Sequence, residues 1–207
     1  MKKVYFVRHG ESEGNVRNEI QYPTEELSDE GVRQAEFVAK RFASIPIEII
    51  LSSTMRRAEH TAEKIAGITR KELIKDDVFG EVTKPTSLLG KTKNEPEIKA
   101  MDDLLLANFG NAHWKHSDEE NFYALQERAK KALALILERP EENIAVVTHG
   151  FILRMMFAVV LMGDNLTPEI FMRINSVMKT FNTGITKMQY DERGWMLLAW
   201  NDHAHLG

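Results

Sequence analysis

Val4-Tyr5-Phe6-Val7-Arg8-His9-Gly10-Glu11-Ser12-Glu13-Gly14-Asn15 stands near the start of the chain and decides how the rest is read. Four apolar residues run straight into an arginine and a histidine, then into small and polar residues. The run is short, β-branched or aromatic, and does not alternate, which predicts a strand buried on both faces. Open α/β sheets place their ligand chemistry at the carboxyl edge of such strands. The same grammar returns at Ile144-Ala145-Val146-Val147-Thr148, which runs into His149-Gly150. Two histidines at the ends of two buried strands predict one shared site.

Between these strands the pattern alternates helix with strand. Arg17 to Glu26 is a polar loop with Pro23. Ser28 is placed to cap a helix whose apolar stripe is Val32, Ala35, Val38, Ala39 and Phe42, with Asp29 and Glu30 at its favourable end. Pro46 ends that helix, and Ile47 to Leu51 reads as a second buried strand. A helix is expected from Ser52-Ser53-Thr54 to a stop at Gly67. Glu72 to Lys75 reads as a short third strand, and Asp76 to Asn94 as loop. Helices are expected over Pro96–Phe109, Glu119–Glu138 and Phe151–Met162, and from Thr167-Pro168-Glu169 onward. Strands at Thr186–Tyr190 and Trp195–Trp200 flank the turn Asp191-Glu192-Arg193-Gly194. This order predicts a mostly parallel sheet covered on both sides.

Composition narrows the function. The chain has 207 residues, enough for one domain with a full core, and a formal net charge of -4. That charge argues against general affinity for nucleic acid or anionic membrane. Without cysteine, disulfides, thiolate catalysis and Cys-based zinc sites are excluded. The apolar run behind Lys2-Lys3 is too short for a secretory signal, and Phe151–Met162 is too short to span a bilayer. A cytoplasmic enzyme is the expectation.

Placing the strands side by side gathers Arg8, His9, Asn15, Arg57 and His149 near one sheet edge. Arginine forks match phosphoryl oxygens, and helix N-termini add backbone donors, so the set suits a tetrahedral dianion. Two guanidinium groups beside an imidazole disfavour its protonated form. His9 would then hold a free lone pair near neutral pH, as a nucleophile attacking phosphorus requires. His149 and the arginines would offset charge on the equatorial oxygens. The leaving alkoxide needs a proton, and a carboxylic acid beside a phosphate is suited to supply it.

Three motifs in this order, Arg8-His9-Gly10-Glu11-Ser12 with Asn15, Arg57-Ala58-x-x-Thr61-Ala62, and Thr148-His149-Gly150, resemble the histidine phosphatase superfamily, its phosphoglycerate-mutase-like branch. The similarity covers nearly the whole chain, including the tail Trp200-Asn201-Asp202-x-x-His205-Leu206. It implies a three-layer α/β/α sandwich with a mostly parallel central sheet, one domain over 1–207, and a cap-like insertion around 80–120. It also implies His9 as the phosphorylated nucleophile, with Arg8, Asn15, Arg57, His149 and Gly150 around the phosphate. The acid is expected in the loop after the third strand, where Phe79-Gly80-Glu81 falls. Glu81 is assigned as proton donor and later as base on water, with Asp76 and Asp77 as rivals. Where the family often carries Trp-Glu-Gly after that acid, this chain has Val82-Thr83-Lys84-Pro85-Thr86.

Several residues have plainer readings. Asn15 also suits a turn or cap. Arg154, one turn after Gly150, is read as a paired structural charge. His113-Trp114-Lys115-His116 and His203-Ala204-His205 have chelating spacings but no companion ligands, so no metal is expected. Met155, Met156 and Met162 read as core. The expected activity is that of a histidine acid phosphatase-type hydrolase acting without a cofactor on a small phosphorylated substrate. The alternatives are a cofactor-dependent phosphoglycerate mutase and a non-catalytic phospholigand-binding domain. Arg17–Glu26 offers no obvious lid of the kind a mutase needs. Homodimer formation is left open.

Overall fold

The opening stretch forms β1 (Lys2–Arg8), in which Val4, Phe6 and Val7 have no exposed surface. In the computed structural model, which describes residues 1–207, a single helical turn, α1 (Glu13–Val16), and then α2 (Asp29–Phe42) follow it. Next come β2 (Ile49–Ser52), α3 (Arg56–Thr69) and the short β3 (Leu73–Lys75). Two one-turn 3-10 helices, Asp77–Phe79 and Thr86–Leu88, precede α4 (Pro96–Asn108) and α5 (Phe122–Glu138). β4 (Asn143–Thr148), α6 (Gly150–Met162) and α7 (Pro168–Val177) lead to the closing hairpin of β5 (Ile185–Asp191) and β6 (Gly194–Asp202).

The strands are ordered β3-β2-β4-β1-β5-β6. β3, β2, β4 and β1 run parallel, and the hairpin adds on antiparallel at β1. Alternate residues of each strand serve opposite faces. Val4, Phe6, Ile49, Leu51, Ile144 and Val146 pack with α5, α6 and α7. Tyr5, Val7, Ile50, Ala145 and Val147 pack with α2 and α3. These are the three layers expected, with helices on both faces of a largely parallel sheet. A third, smaller cluster of Ile20, Leu88, Ile98 and Leu105 ties α4 to the loop after α1. Truncating Phe6, which has no exposed surface, to Ala would cost about 3–5 kcal/mol.

Three helix boundaries differ from the sequence expectation, two of them on α3. Ser52 ends β2 and Ser53 still bonds to the sheet beyond it, its N–H donating to the Val147 carbonyl at 3.0 Å, and α3 starts after Met55. The helix also passes through Gly67 and ends at Arg70, whose φ of 58° is left-handed. Gly67 meets open space, so helical backbone there costs only about 1 kcal/mol relative to Ala. α5 begins at Phe122 rather than Glu119. Asn121 caps it by accepting from Ala124 N–H at 3.0 Å, while Glu119 turns back to accept from the His116 and Ser117 amides.

Candidate active site

The register of β1 on β4 pairs Arg8 with Thr148, so the next residue of each strand, His9 and His149, emerges beside the other. Their ring centroids lie 5.0 Å apart. His9 Nδ1 lies 2.7 Å from the Gly10 carbonyl oxygen, which can only accept, and Arg57 Nε–H lies 3.3 Å from His9 Nε2 and can only donate. Together these contacts fix the neutral tautomer, with the proton on Nδ1 and the lone pair on Nε2. Burial, then the Arg57 and Arg8 guanidinium groups, push the His9 pKa well below the ordinary histidine value. His149 is shifted the same way by burial, Arg57 and His9. Both rings are neutral at pH 7.

Two glycines let the loop after β1 sit where it does. A Cβ on Gly10 would lie 2.5 Å from the Gly31 carbonyl oxygen, and one on Gly31 would lie 1.8 Å from the Glu11 carbonyl oxygen. The first turn of α2 therefore rests directly on the histidine loop, with Ser28 capping the helix through Gly31 N–H. On the other side Thr61 accepts from Gly10 N–H at 3.0 Å and donates to the Arg57 carbonyl at 2.8 Å. Ala58 and Ala62 have no exposed surface and hold α3 close to the sheet. The Arg57-Ala58-x-x-Thr61-Ala62 spacing thus serves one purpose, bringing the Arg57 fork to the end of β1.

A cavity of about 560 Å³ opens over this edge. Arg8, His9, Asn15, Arg57 and Glu81 line it; His149 and Gly150 are buried and do not reach its wall. His149 Nε2 meets Ser53 Oγ at 2.9 Å, and its Nδ1 is buried without a hydrogen-bond partner. Arg8 donates to the Thr180 carbonyl at 2.7 Å, and its Nε is likewise buried and unpartnered. Arg57 donates to the Tyr22 carbonyl at 3.0 Å, and burial lowers its pKa to about 10. Glu81 accepts from the Phe151 and Ile152 amides at the start of α6, each at 3.1 Å. Asp76 and Asp77, its rivals in sequence, are absent from the cavity lining; Asp76 caps the first 3-10 turn through Val78 N–H, and Asp77 accepts from the Thr54 hydroxyl. Asn15 does both things open to it: its side chain accepts from Ser12 N–H at 3.2 Å in a capping box, and it lines the cavity.

The remaining lining comes from residues that the sequence left unassigned. α4 and its flanks give Leu105, Leu106, Phe109 and Trp114, and Lys93 stands exposed at the wall. Arg154 corrects the sequence reading. It has no carboxylate partner, donates instead to Asn175 Oδ1 at 2.7 Å and Thr180 Oγ1 at 2.8 Å, and lines the cavity. Asn182 donates to the His9 carbonyl at 2.9 Å. His113 and His116 are exposed, and no group of three or more His, Asp or Glu side chains is arranged to hold a metal ion. No helix is long and apolar enough to cross a membrane.

A parallel-sheet edge carrying a neutral imidazole among guanidinium groups is suited to an anion. The sequence pattern of the histidine phosphatase superfamily (branch 1) matches residues 4–203, and the chain belongs to that family. A protein of Proteus mirabilis named "Probable phosphoglycerate mutase GpmB" is 31% identical over all of this chain and 95% of its own length. The structure of YhfR from Bacillus stearothermophilus superposes with a TM-score of 0.85 at 25% identity, covering 100% of both chains. That of phosphoserine phosphatase from Entamoeba histolytica in complex with 3-phosphoglyceric acid superposes at 0.79 and 26% identity, again over 100% of both chains.

Proposed function

We propose that this chain is a metal-independent phosphatase that hydrolyses a small phosphomonoester through a phosphohistidine on His9. The observation that carries the reading is the fixed neutral tautomer of His9, with its Nε2 lone pair beside Arg57 in the cavity wall. In the first step Nε2 forms a bond to phosphorus, the bond from phosphorus to the leaving oxygen breaks, and Glu81 gives that oxygen its proton. In the second step Glu81 takes a proton from water, the resulting hydroxyl attacks phosphorus, and the N–P pair returns to Nε2. Arg8 and Arg57 offset charge on the equatorial oxygens, the main task in phosphoryl transfer. Ser53 Oγ already accepts from Met55 N–H at 3.1 Å, so its own proton is free for His149 Nε2. His149 then carries its proton on Nδ1, the ring nitrogen left without a hydrogen-bond partner. Asn15 completes the phosphate surroundings from the cavity wall, Gly150 lies buried behind it, and the 80–120 segment acts as a cap that selects the leaving group.

The name of the Proteus relative favours a second reading, phosphoglycerate mutase. A mutase must keep its phosphoenzyme from water while the intermediate turns. Here the loop after α1 is pinned to the chain near Lys91, with Ile20 N–H donating to the Lys91 carbonyl at 3.0 Å. That leaves no free segment on that side to close, and supports hydrolysis. Incubation with 3-phosphoglycerate separates the two: release of inorganic phosphate is expected, and dominant isomerisation would replace phosphatase by mutase. His9→Ala should abolish turnover and acid-labile labelling by phosphate, and chelators should leave the rate unchanged. A protein that binds phosphopeptides but turns over nothing in a broad phosphoester panel would be a non-catalytic binding domain instead.

A further inference from the structure

Arg154 has no counterpart in the reading above, and its surroundings are not those of a structural ion pair. Its two hydrogen-bonded nitrogens face neutral oxygens, Asn175 Oδ1 and Thr180 Oγ1, which orient the guanidinium without neutralising it. Burial lowers its pKa, the cost of holding a cation without a paired anion. The same residue that receives Arg154 through its hydroxyl receives Arg8 through its carbonyl, at 2.8 Å and 2.7 Å. Thr180 therefore holds two guanidinium groups in one place. Gly150 makes the convergence possible: a Cβ there would lie 2.9 Å from Thr180 Oγ1, 3.3 Å from Arg154 Nη1 and 3.6 Å from Arg8 Nε.

The charge balance points the same way. Among the acidic side chains that line the cavity, Glu19 pairs with Arg17, Asp102 with Lys84 and Glu120 with Arg128. Glu119 is satisfied by the His116 and Ser117 amides. Only Glu81 is left to face Arg8, Arg57 and Arg154, and it acts electrostatically on all three. None of the three guanidinium groups has a carboxylate partner of its own, so all three are left to meet an incoming anion, with Lys93 at the wall beside them.

We infer that Arg154 is a third phosphoryl-binding arginine, set in position by Thr180 and Asn175. This rests on the proposed phosphatase reading for its ligand but not for its geometry. The probe is inorganic phosphate, a product of that reaction and a ligand in its own right. Loss of a charge-assisted contact in Arg154→Met should weaken competitive inhibition by phosphate about ten- to a hundredfold and shrink the phosphate-induced rise in Tm. Arg154→Lys, which keeps the charge but loses the fork, should recover part of both. Thr180→Val should weaken phosphate binding in the same direction while the Thr180 carbonyl still holds Arg8. If Arg154→Met does not fold, Arg154→Lys and Thr180→Val decide. Variants that are less stable yet bind phosphate like the wild type would overturn the inference and return Arg154 to a structural role. Phosphate binding that depends on Arg154 in a wild type unable to hydrolyse any ester would keep the inference and sink the phosphatase reading.

Discussion

Because His9 and His149 are held neutral, folding must become less favourable as the solution is acidified through the histidine range. Both folded-state pKa values lie well below the ordinary value, through burial first and the nearby guanidinium groups second. An unfolded chain takes up a proton at each site near pH 6.5, and the folded chain does not. The unfolded state therefore binds more protons, so this share of stability is complete above about pH 6.5 and is lost as pH falls below it. Between pH 7.5 and 5.5 each such histidine costs about 1.4 kcal/mol, hence about 3 kcal/mol for the pair. Carboxylates contribute little in this window, since their unfolded values lie near 4. His205, only partly buried and lowered to about 4 by burial and Arg41, adds a smaller share of the same sign.

Set against a typical total of about 5–15 kcal/mol, a loss of 3 is easily measured. Urea unfolding followed by tryptophan fluorescence, in buffers free of phosphate, gives the stability at each pH by linear extrapolation. His9→Gln should remove about half of the fall, and a His9→Gln, His149→Gln pair most of it, even where the variants differ in absolute stability. Equal stability of the wild type at pH 7.5 and 5.5, or a fall untouched by His9→Gln, would show that His9 is not kept neutral. The nucleophile assignment would go with it.

Three further outcomes are expected. Glu81→Gln should slow alkyl phosphates far more than aryl phosphates, since only poor leaving groups need the proton, and equal slowing of both would mean that another acid acts. Gly31→Ala places a methyl within 1.8 Å of the Glu11 carbonyl oxygen, so it should lower stability by more than about 2 kcal/mol in denaturant unfolding and depress kcat by moving the histidine loop. Thr61→Val leaves the buried Gly10 N–H without its acceptor, at a cost of about 1–3 kcal/mol, and a fall in kcat without a comparable change in KM would mark its effect on His9.

Much of this molecule was legible because its key strands are parallel and covered on both faces. Val4 to Val7 and Ile144 to Val147 carry unbroken apolar runs, and the first polar residues after each run have to be at the sheet edge. Arg57 and Thr61 were legible through the motif that resembles the family's, and the structure supplies the reason for its spacing in the contact between Thr61 and Gly10. Arg154 was misread because its partners, Asn175 and Thr180, lie on α7 and the loop beyond, and nothing local to α6 announces them. Thr180 and Asn182 reach the site only because β5 turns back antiparallel beside β1, a pairing that a strand pattern alone does not specify. Helix ends were read one turn out where a glycine stayed helical or an acidic run folded back on itself.

The core and the site are one constraint seen twice. Side chains alternate along β1 and β4, so a slip of one residue between them would turn either Phe6 or Val146, whichever strand moved, from one helical layer to the other. The same slip would also part His9 from His149, since their approach follows from the pairing of Arg8 with Thr148. Fully buried apolar residues on both faces forbid it, and the histidine pair is held in register by the hydrophobic core rather than by its own hydrogen bonds. Burial then sets the chemistry. It is the largest cause of neutrality in both rings, and it leaves Arg8 Nε and His149 Nδ1 with no protein atom to meet. A fold that packs its sheet edge this tightly with cations has its lowest free energy when an anion lies across that edge, which is what a phosphoryl group passing through His9 would provide.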